Sequence, residues 1–216
     1  MSALIGSTDL NVVRDAGSGK SNSVPATLTK RLQKNAIQLG MGVLGWPHAA
    51  AQLDHYFGNS GSDFTIDLGA MLKDVDSASD LLSKEEESAI NFANDLNLKP
   101  GYCTSITSSE ASGGYNKKRE SADWYFAVGG YSAWGKGDVS VDLLGSYTMK
   151  YEYKFFDRYN WDNSKAVNIG GIKITDAFMG EFHRMGLAKE YDVVGSVKKT
   201  ITWKKGSKTK SETDGW

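Results

Sequence analysis

The stretch Tyr147–Trp161, reading YTMKYEYKFFDRYNW, constrains the fold of this chain more than any other. Tyr147, Met149, Tyr151, Tyr153 and Phe155 alternate with Thr148, Lys150, Glu152 and Lys154. That is the period of a β-strand with one apolar and one wetted face. Continued, the apolar face receives Asp157, Tyr159 and Trp161. A carboxylate therefore stands where the pattern calls for a hydrophobe, and an ionised carboxylate buried without partners is costly. Either the strand stops at Phe156, or Asp157 sits at the mouth of a half-buried sheet with work to do there.

The rest of the chain supplies neighbours for this strand. From Asp123 onward the pattern is β. Trp124–Val128 reads as an apolar strand ending at Gly129-Gly130, and Asp138–Leu144 alternates through Val139, Val141 and Leu143. Val167–Ile169 and Ile172–Ile174 flank Gly170-Gly171, a two-residue hairpin signal. Thr175 is placed to cap a helix over Asp176–Lys189, and Tyr191–Trp203 reads as a closing strand. Upstream, Pro25–Phe57 reads as helical, capped by Thr27 or Thr29, with an apolar stripe of Leu32, Ile37, Leu44, Ala51 and Phe57. Gly40, Gly42, Gly45 and Pro47 predict a break or close packing near its middle. Asp63–Leu68 is a short extended segment, Asp80–Leu96 a second helix ended by Pro100-Gly101, and Ser105–Arg119 a polar loop or hairpin arm. Helices first, then a meander of antiparallel strands with one late helix, predict an α+β fold. The expected form is a curved antiparallel β half-barrel with the N-terminal helices and the late helix packed against it. Residues 1–24 read as a flexible segment, 25–204 as a single α+β domain and 205–216 as a basic tail.

Composition bounds the function. The 216 residues suffice for one domain, and 40% hydrophobic with 24% charged residues is ordinary for a globular protein. A formal net charge of −1 gives no global attraction to nucleic acid, and no nucleic-acid partner is expected. Lysines 198, 199, 204, 205, 208 and 210 make the C-terminal stretch locally basic. They belong either to a solvated edge strand and tail or to a surface weakly attracted to an anionic membrane or phosphate surface. Cys103 is the single cysteine, so no intrachain disulfide forms, and with no histidine beside it in sequence it reads as packed rather than nucleophilic. Met1–Arg14 lacks the basic and apolar regions of a secretory signal peptide. Leu39–Ala51, the longest apolar stretch, is broken by glycine, proline and His48, so no transmembrane helix is expected. Gly17-Ser18-Gly19-Lys20-Ser21 has Arg14 where a phosphate-binding loop needs glycine and reads as a polar linker. His48 and His55 would lie about 10 Å apart along a helix, too far to share one metal ion.

Two constellations carry chemistry. Asp157, Tyr159, Asn160 and Asp162 cluster where a strand gives way to a Ser/Asn/Lys loop. Such oxygen ligands suit Mg²⁺ or Ca²⁺ better than zinc, although the same residue types are ordinary turn formers. His183-Arg184 on the late helix combines a proton-transfer group with a phosphate clamp. Adjacent helical residues diverge by about 100°, so the alternative is one surface arginine and one semi-buried histidine. No Ser/His/Asp order, zinc-ligand spacing or nucleotide-binding glycine fingerprint is present.

Taken in order, these landmarks resemble the activity domain of colicin M-type bacteriocins over roughly residues 48–203. His48–Gly61 resembles the family's ALAHYLWGNG-like helix end. Asp123-Trp124-Tyr125 through Gly130-Tyr131 resembles its D-Y-x4-G-x-Y strand. Tyr147–Trp161 resembles its long strand running into Asp-x-Tyr-Asp-Phe, and Gly180–Gly186 followed by Tyr191 resembles its later G-E-S-L-T-R-L-G helix. In the family motif, Asp-x-Tyr-Asp is followed after five residues by His-Arg. Here Asp157 and Tyr159 match, Asn160 stands for the second aspartate, and Ala166 and Val167 occupy the His-Arg positions. The resemblance implies a toxin released without a signal peptide that acts in the target-cell periplasm. There it would hydrolyse the polyprenyl-diphosphate linkage of the peptidoglycan precursor lipid II, with Mg²⁺. Expected partners are that precursor, the target membrane surface and a cognate immunity protein. Asp157, Tyr159, Asn160, His183 and Arg184 are the expected catalytic residues, and Asp157 with Asp162 the expected metal ligands. The eroded motif, the aromatic strands and the basic tail also fit a second class: a toxin acting by binding, membrane insertion or pore formation on a related scaffold, without hydrolysis.

Overall fold

The computed structural model describes residues 24–161, 166–169, 172–207 and 209–216. The Gly-Ser-Gly-Lys-Ser run, Asp162 and the Gly170-Gly171 turn lie outside the described residues.

Helices α1 (Val24–Leu44) and α2 (Pro47–Gly58) are followed by β1 (Phe64–Thr65), α3 (Leu68–Asp74) and α4 (Asp76–Asp95). Then come β2 (Cys103–Thr107), β3 (Ser112–Tyr115), α5 (Ala122–Ala127), β4 (Gly130–Val141) and β5 (Ser146–Tyr159). The chain continues through β6 (Ala166–Ile169), β7 (Ile172–Thr175), α6 (Asp176–Arg184), β8 (Tyr191–Lys204) and β9 (Lys210–Asp214). The result is the expected α+β fold with an open, curved sheet. Its path is β1-β8-β5-β4-β2, with β3 also on β4, β9 also on β8, and β6–β7 as a separate hairpin. The β1–β8 pair is parallel, so the sheet is mixed rather than wholly antiparallel.

β5 does not stop at Phe156. It pairs with β8 from Ser146↔Lys204 to Tyr159↔Tyr191 and with β4 from Val141↔Tyr147 to Ser132↔Phe156. Tyr147, Met149, Tyr151, Tyr153 and Phe155 are all buried under the helices, as the alternation requires. Gly135 and Gly137 on β4 make room for them: a Cβ at 135 would collide with the Tyr151 hydroxyl, and one at 137 with Met149. The helical layer is tied down by polar bonds. The Trp203 indole donates to Asn94 Oδ1 on α4 at 2.9 Å, and the Tyr191 hydroxyl donates to the Gln52 carbonyl on α2 at 2.7 Å.

Several local expectations are corrected. Trp124–Val128 is not a strand; α5 forms there, because Ser121 caps it and Trp124 N–H bonds the cap's oxygen at 3.3 Å. The helix α1 begins at Val24, so Thr27 and Thr29 lie inside it. The break falls at Gly45–Trp46, where Gly45 takes a positive φ and Pro47 opens α2. Leu44 and Ala51 point outward, while Ile37, Met41, Leu53 and Phe57 face the core. The Asp67 carboxylate caps α3, a helix the apolar pattern alone does not announce. α6 starts at the expected Thr175 cap but ends at Arg184, where Gly186 turns the chain with φ 71° and Leu187 N–H closes on Phe182 O. Cys103 is exposed rather than packed, because β2 is an edge strand whose Ile106 takes the buried position. Residues 210–214, expected in a basic tail, pair with β8 as β9. No helix among the described residues is long and apolar enough to cross a membrane.

Candidate functional site

The end of β5 presents different chemistry on its two faces. On the helix-covered face, Asp157 and Tyr159 follow Phe155. Tyr159 stacks on Tyr191 of the paired strand, ring centroids 5.0 Å apart and 13° from parallel. Tyr56 and Trp161 lie 5.9 and 5.7 Å from the Tyr159 ring, and His55 meets Tyr191 edge-on at 4.4 Å. The Tyr56 hydroxyl donates to Met179 O at 2.7 Å, which docks α6 on α2, and that of Tyr191 also reaches Gln52 Oε1. Asp157 is half-buried, and its Oδ1 accepts the Arg158 N–H at 2.7 Å. Burial first, and then the Asp157 carboxylate, push the Tyr159 hydroxyl well above the ordinary tyrosine range. Tyr191 is raised by burial, Tyr159 and Asp157 together. Both phenols therefore stay protonated and remain hydrogen-bond donors beside a carboxylate.

On the opposite face Arg158 builds a buried ionic network. Its Nη1 is 2.8 Å from Asp192 Oδ1, directly across the strand pair, and its Nη2 is 3.9 Å from Glu190 Oε2. Glu190 Oε1 accepts the Trp161 N–H at 3.2 Å, and the Glu190 N–H donates to His183 Nδ1 at 3.4 Å. His183 is 3% exposed, with Nε2 4.0 Å from Glu190 Oε2.

Of the residues expected from sequence, Asp157 and Tyr159 thus share one face of one strand end. Asn160 is exposed just beyond it, and Asp162 lies outside the described residues. His183 and Arg184 diverge as neighbours on a helix do: His183 turns inward to Glu190, whereas Arg184 is solvent-facing and forks onto Glu181 at 2.8 and 3.0 Å. Ala166 is exposed on the separate hairpin. A divalent cation needs several oxygen ligands. Among the described residues no group of three His, Cys, Asp or Glu side chains could hold a metal ion, and Asp162, the expected partner of Asp157, lies outside them.

Sequence reading passed over two polar centres. The Arg158–Asp192 pair becomes legible once Tyr159 and Tyr191 are set opposite each other, since the strand alternation then puts 158 across from 192. The second is His48, whose Nδ1 is 2.7 Å from Asp123 Oδ2 and whose ring stacks on Trp124 at 3.9 Å. The same carboxylate accepts the His48 and Ala49 N–H groups at 3.1 and 2.8 Å. Only the proline at the start of α2 hinted that its amides would need an outside acceptor.

No protein-family model matches the chain, and no curated protein matches it. Among solved structures it overlaps PaeM, a colicin M-like bacteriocin produced by Pseudomonas aeruginosa, at 14% identity and TM-score 0.36. That overlap covers 74% of this chain and 52% of PaeM. It also overlaps pectocin M2 at 15% identity and TM-score 0.29, covering 89% of this chain and 63% of that one. The chain thus spans about half of the first protein and under two thirds of the second.

Proposed function

We propose that the chain is an antibacterial toxin of the colicin M type whose β5 end engages the polyprenyl-diphosphate linkage of lipid II. One observation carries the reading: β5 continues its helix-covered face without interruption through Asp157 to Tyr159. The two residues that match the family motif thereby stand together on one strand end, with the phenols held as donors. In this reading Asp157 takes a proton from a water whose oxygen bonds the phosphorus next to the polyprenol. The P–O bond to polyprenol breaks, its oxygen takes up a proton from Asp157 or solvent and leaves as the alcohol, and the sugar diphosphate keeps the water oxygen. Tyr159 donates to a phosphate oxygen, and Asn160 adds a neutral hydrogen-bonding group at the rim. Exposed Arg184 is available to a phosphate only by leaving Glu181, while His183 acts by holding Glu190 and the Arg158 network in place. The working place is the target-cell periplasm, at the membrane surface, with an immunity protein protecting the producer.

The test is incubation of the purified chain with lipid II, with and without Mg²⁺, following release of polyprenol. Turnover that falls at least about 100-fold in Asp157→Asn is the expected result, the scale of losing a general base. Absence of product in both conditions, or full activity in Asp157→Asn, removes the hydrolytic reading.

The divergence of His183 and Arg184 favours one alternative, a toxin that binds or permeabilises membranes without hydrolysis. It predicts dye leakage from anionic vesicles that Asp157→Asn leaves intact and that substitution of the C-terminal lysines abolishes.

A further inference from the structure

A cavity of about 670 Å³ opens between α4 and the break that separates β2 from β3. Its origin is topological. β2 pairs with β4 as far as Lys136, Ser108 N–H still bonds Gly135 O at 2.9 Å, and β3 resumes the regular pairing at Ala133, so the ladder is interrupted over residues 109–111. The helix α4 roofs the gap with Glu85, Ala89 and Phe92, which share one face at i, i+4, i+7 spacing. None of the lining residues belongs to the Asp157 end of the sheet. The volume falls within the usual range for small-molecule sites.

The floor is Tyr151, 1% exposed, whose hydroxyl has no hydrogen-bond partner among the described residues. That hydroxyl lies over Gly135, itself a lining residue, where any side chain would displace it. A buried hydroxyl left unpartnered is unusual and points to a missing ligand atom or water. In the same lining, Glu85 is anchored by two serines: Ser108 Oγ donates to Oε2 at 3.0 Å, and Ser112 Oγ donates to Oε1. An ionised carboxylate retains lone pairs beyond those two bonds. Glu110 adds a second acidic lining residue, whereas the cationic one, Lys136, has its ammonium 2.9 Å from Glu152. After burial, the charge of Glu85 helps hold Tyr151 protonated. The cavity therefore has an acidic, oxygen-rich head and an apolar wall ending in Phe92, which is 42% exposed.

We propose that this cavity binds a small primary amine with an apolar body, its ammonium seated between Glu85 and the Tyr151 oxygen and its body against Ala89 and Phe92. The site is separate from the proposed lipid II site and stands or falls independently of it.

The probe is 2-phenylethylamine, titrated into the full chain and followed by backbone amide shifts in a two-dimensional NMR spectrum. Saturable shifts confined to α4 and residues 106–112 are expected, with a Kd on the order of 1 mM for a ligand this small. Its isostere 3-phenylpropionate, with a carboxylate in place of the ammonium, is expected not to bind. Glu85→Gln should weaken binding about 10-fold by removing the charge. Tyr151→Phe should weaken it about 3-fold while leaving the fold intact, since it deletes a hydroxyl that has no partner among the described residues. Equal binding of the carboxylate, no saturable shift, or unchanged affinity in Tyr151→Phe would each overturn the proposal.

Discussion

Asp123 caps a helix to which it does not belong. α2 opens at Pro47 with Trp46 at its N-cap, and no side chain of its own segment reaches its free amides. Asp123, on α5, supplies both carboxylate oxygens to His48 and Ala49 and takes the His48 ring as well. Negative charge at a helix N-terminus is favoured by the aligned peptide dipoles. Asp123→Ala should therefore lower stability by about 2 kcal/mol, read as a lower urea midpoint. Asp123→Asn, which keeps one acceptor, should lose about half of that. Single residues were legible from sequence where a local rule was broken, and illegible where a distant chain segment decides. Asp157 stood out because it interrupts a period-2 pattern. Asp123 did not, because its partners lie more than 70 positions upstream. The exposure of Cys103 is illegible for a related reason: whether a strand residue is packed depends on which strand ends up at the edge.

At the scale of elements, the segment Trp124–Val128 shows how an apolar run without period fits either structure. Its choice is made by polar anchors: Ser121 caps it, and the Trp124 indole donates to Asp74 Oδ2 at 2.9 Å. The strand β9 was illegible because lysines and acids carry no hydrophobic period, and its reason for ordering lies on α4. Glu86, 2% exposed, is 2.7 Å from Lys199 Nζ on β8 and 3.0 Å from Lys210 Nζ on β9. Glu212 completes the group at 2.6 Å from Lys210 and 3.1 Å from Lys199. Removing one partner of a buried pair leaves the others uncompensated. Because the lysines remain partly in water, Glu86→Gln should cost about 2 kcal/mol rather than the full penalty of a buried charge. The readout is thermal or urea unfolding, with loss of amide protection along β9 as the specific sign. The pH dependence has two limbs. Burial alone would raise Glu212, but Lys210 and Lys199 outweigh it and hold the carboxylate below its ordinary value. Its contribution is present above the unfolded-state value and fades as pH falls through the folded one. Burial likewise opposes the charge on Lys199 and Lys210, yet the two glutamates hold both above 10.5. That contribution is full below 10.5 and fades as pH rises through the raised values. Hydrogen exchange of the 210–214 amides, corrected for intrinsic rate, should show greatest protection at intermediate pH and loss toward both extremes. A monotonic profile would contradict this role for the Glu86, Lys199, Lys210 and Glu212 group.

Across the whole molecule, the α+β layering was legible because it follows from the order of periodicities along the chain. The closure of the covered face was not, since it depends on which residues meet after strand pairing. That face is lined by phenols. Tyr151, Tyr153 and Tyr159 come from β5, Tyr191 from β8 and Tyr56 from α2, and burial is the first cause that pushes each of them far above the ordinary value of 10. Tyr131 on β4 is pushed up to about 12. Neighbouring carboxylates add to the effect: Glu85 and Glu86 at Tyr151 and Tyr153, Glu190 at Tyr56, and Asp157 at Tyr159 and Tyr191. A phenol that ionises later in the folded than in the unfolded state binds more protons when folded once pH passes 10. The folded state therefore loses stability steadily above that point, one group adding to the next. Of the chain's 10 tyrosines, the five named first should stay protonated for as long as the fold persists. Absorbance near 295 nm should thus rise in two stages as pH increases: an early rise from accessible phenols, then a cooperative jump that coincides with loss of the near-ultraviolet circular dichroism of the packed rings. Asp157→Asn removes the charge beside Tyr159 and Tyr191 and should move that jump to higher pH while leaving the early rise unchanged. If all ten phenols titrate in one stage while the dichroism is still native, the covered face at the end of β5 is open to water.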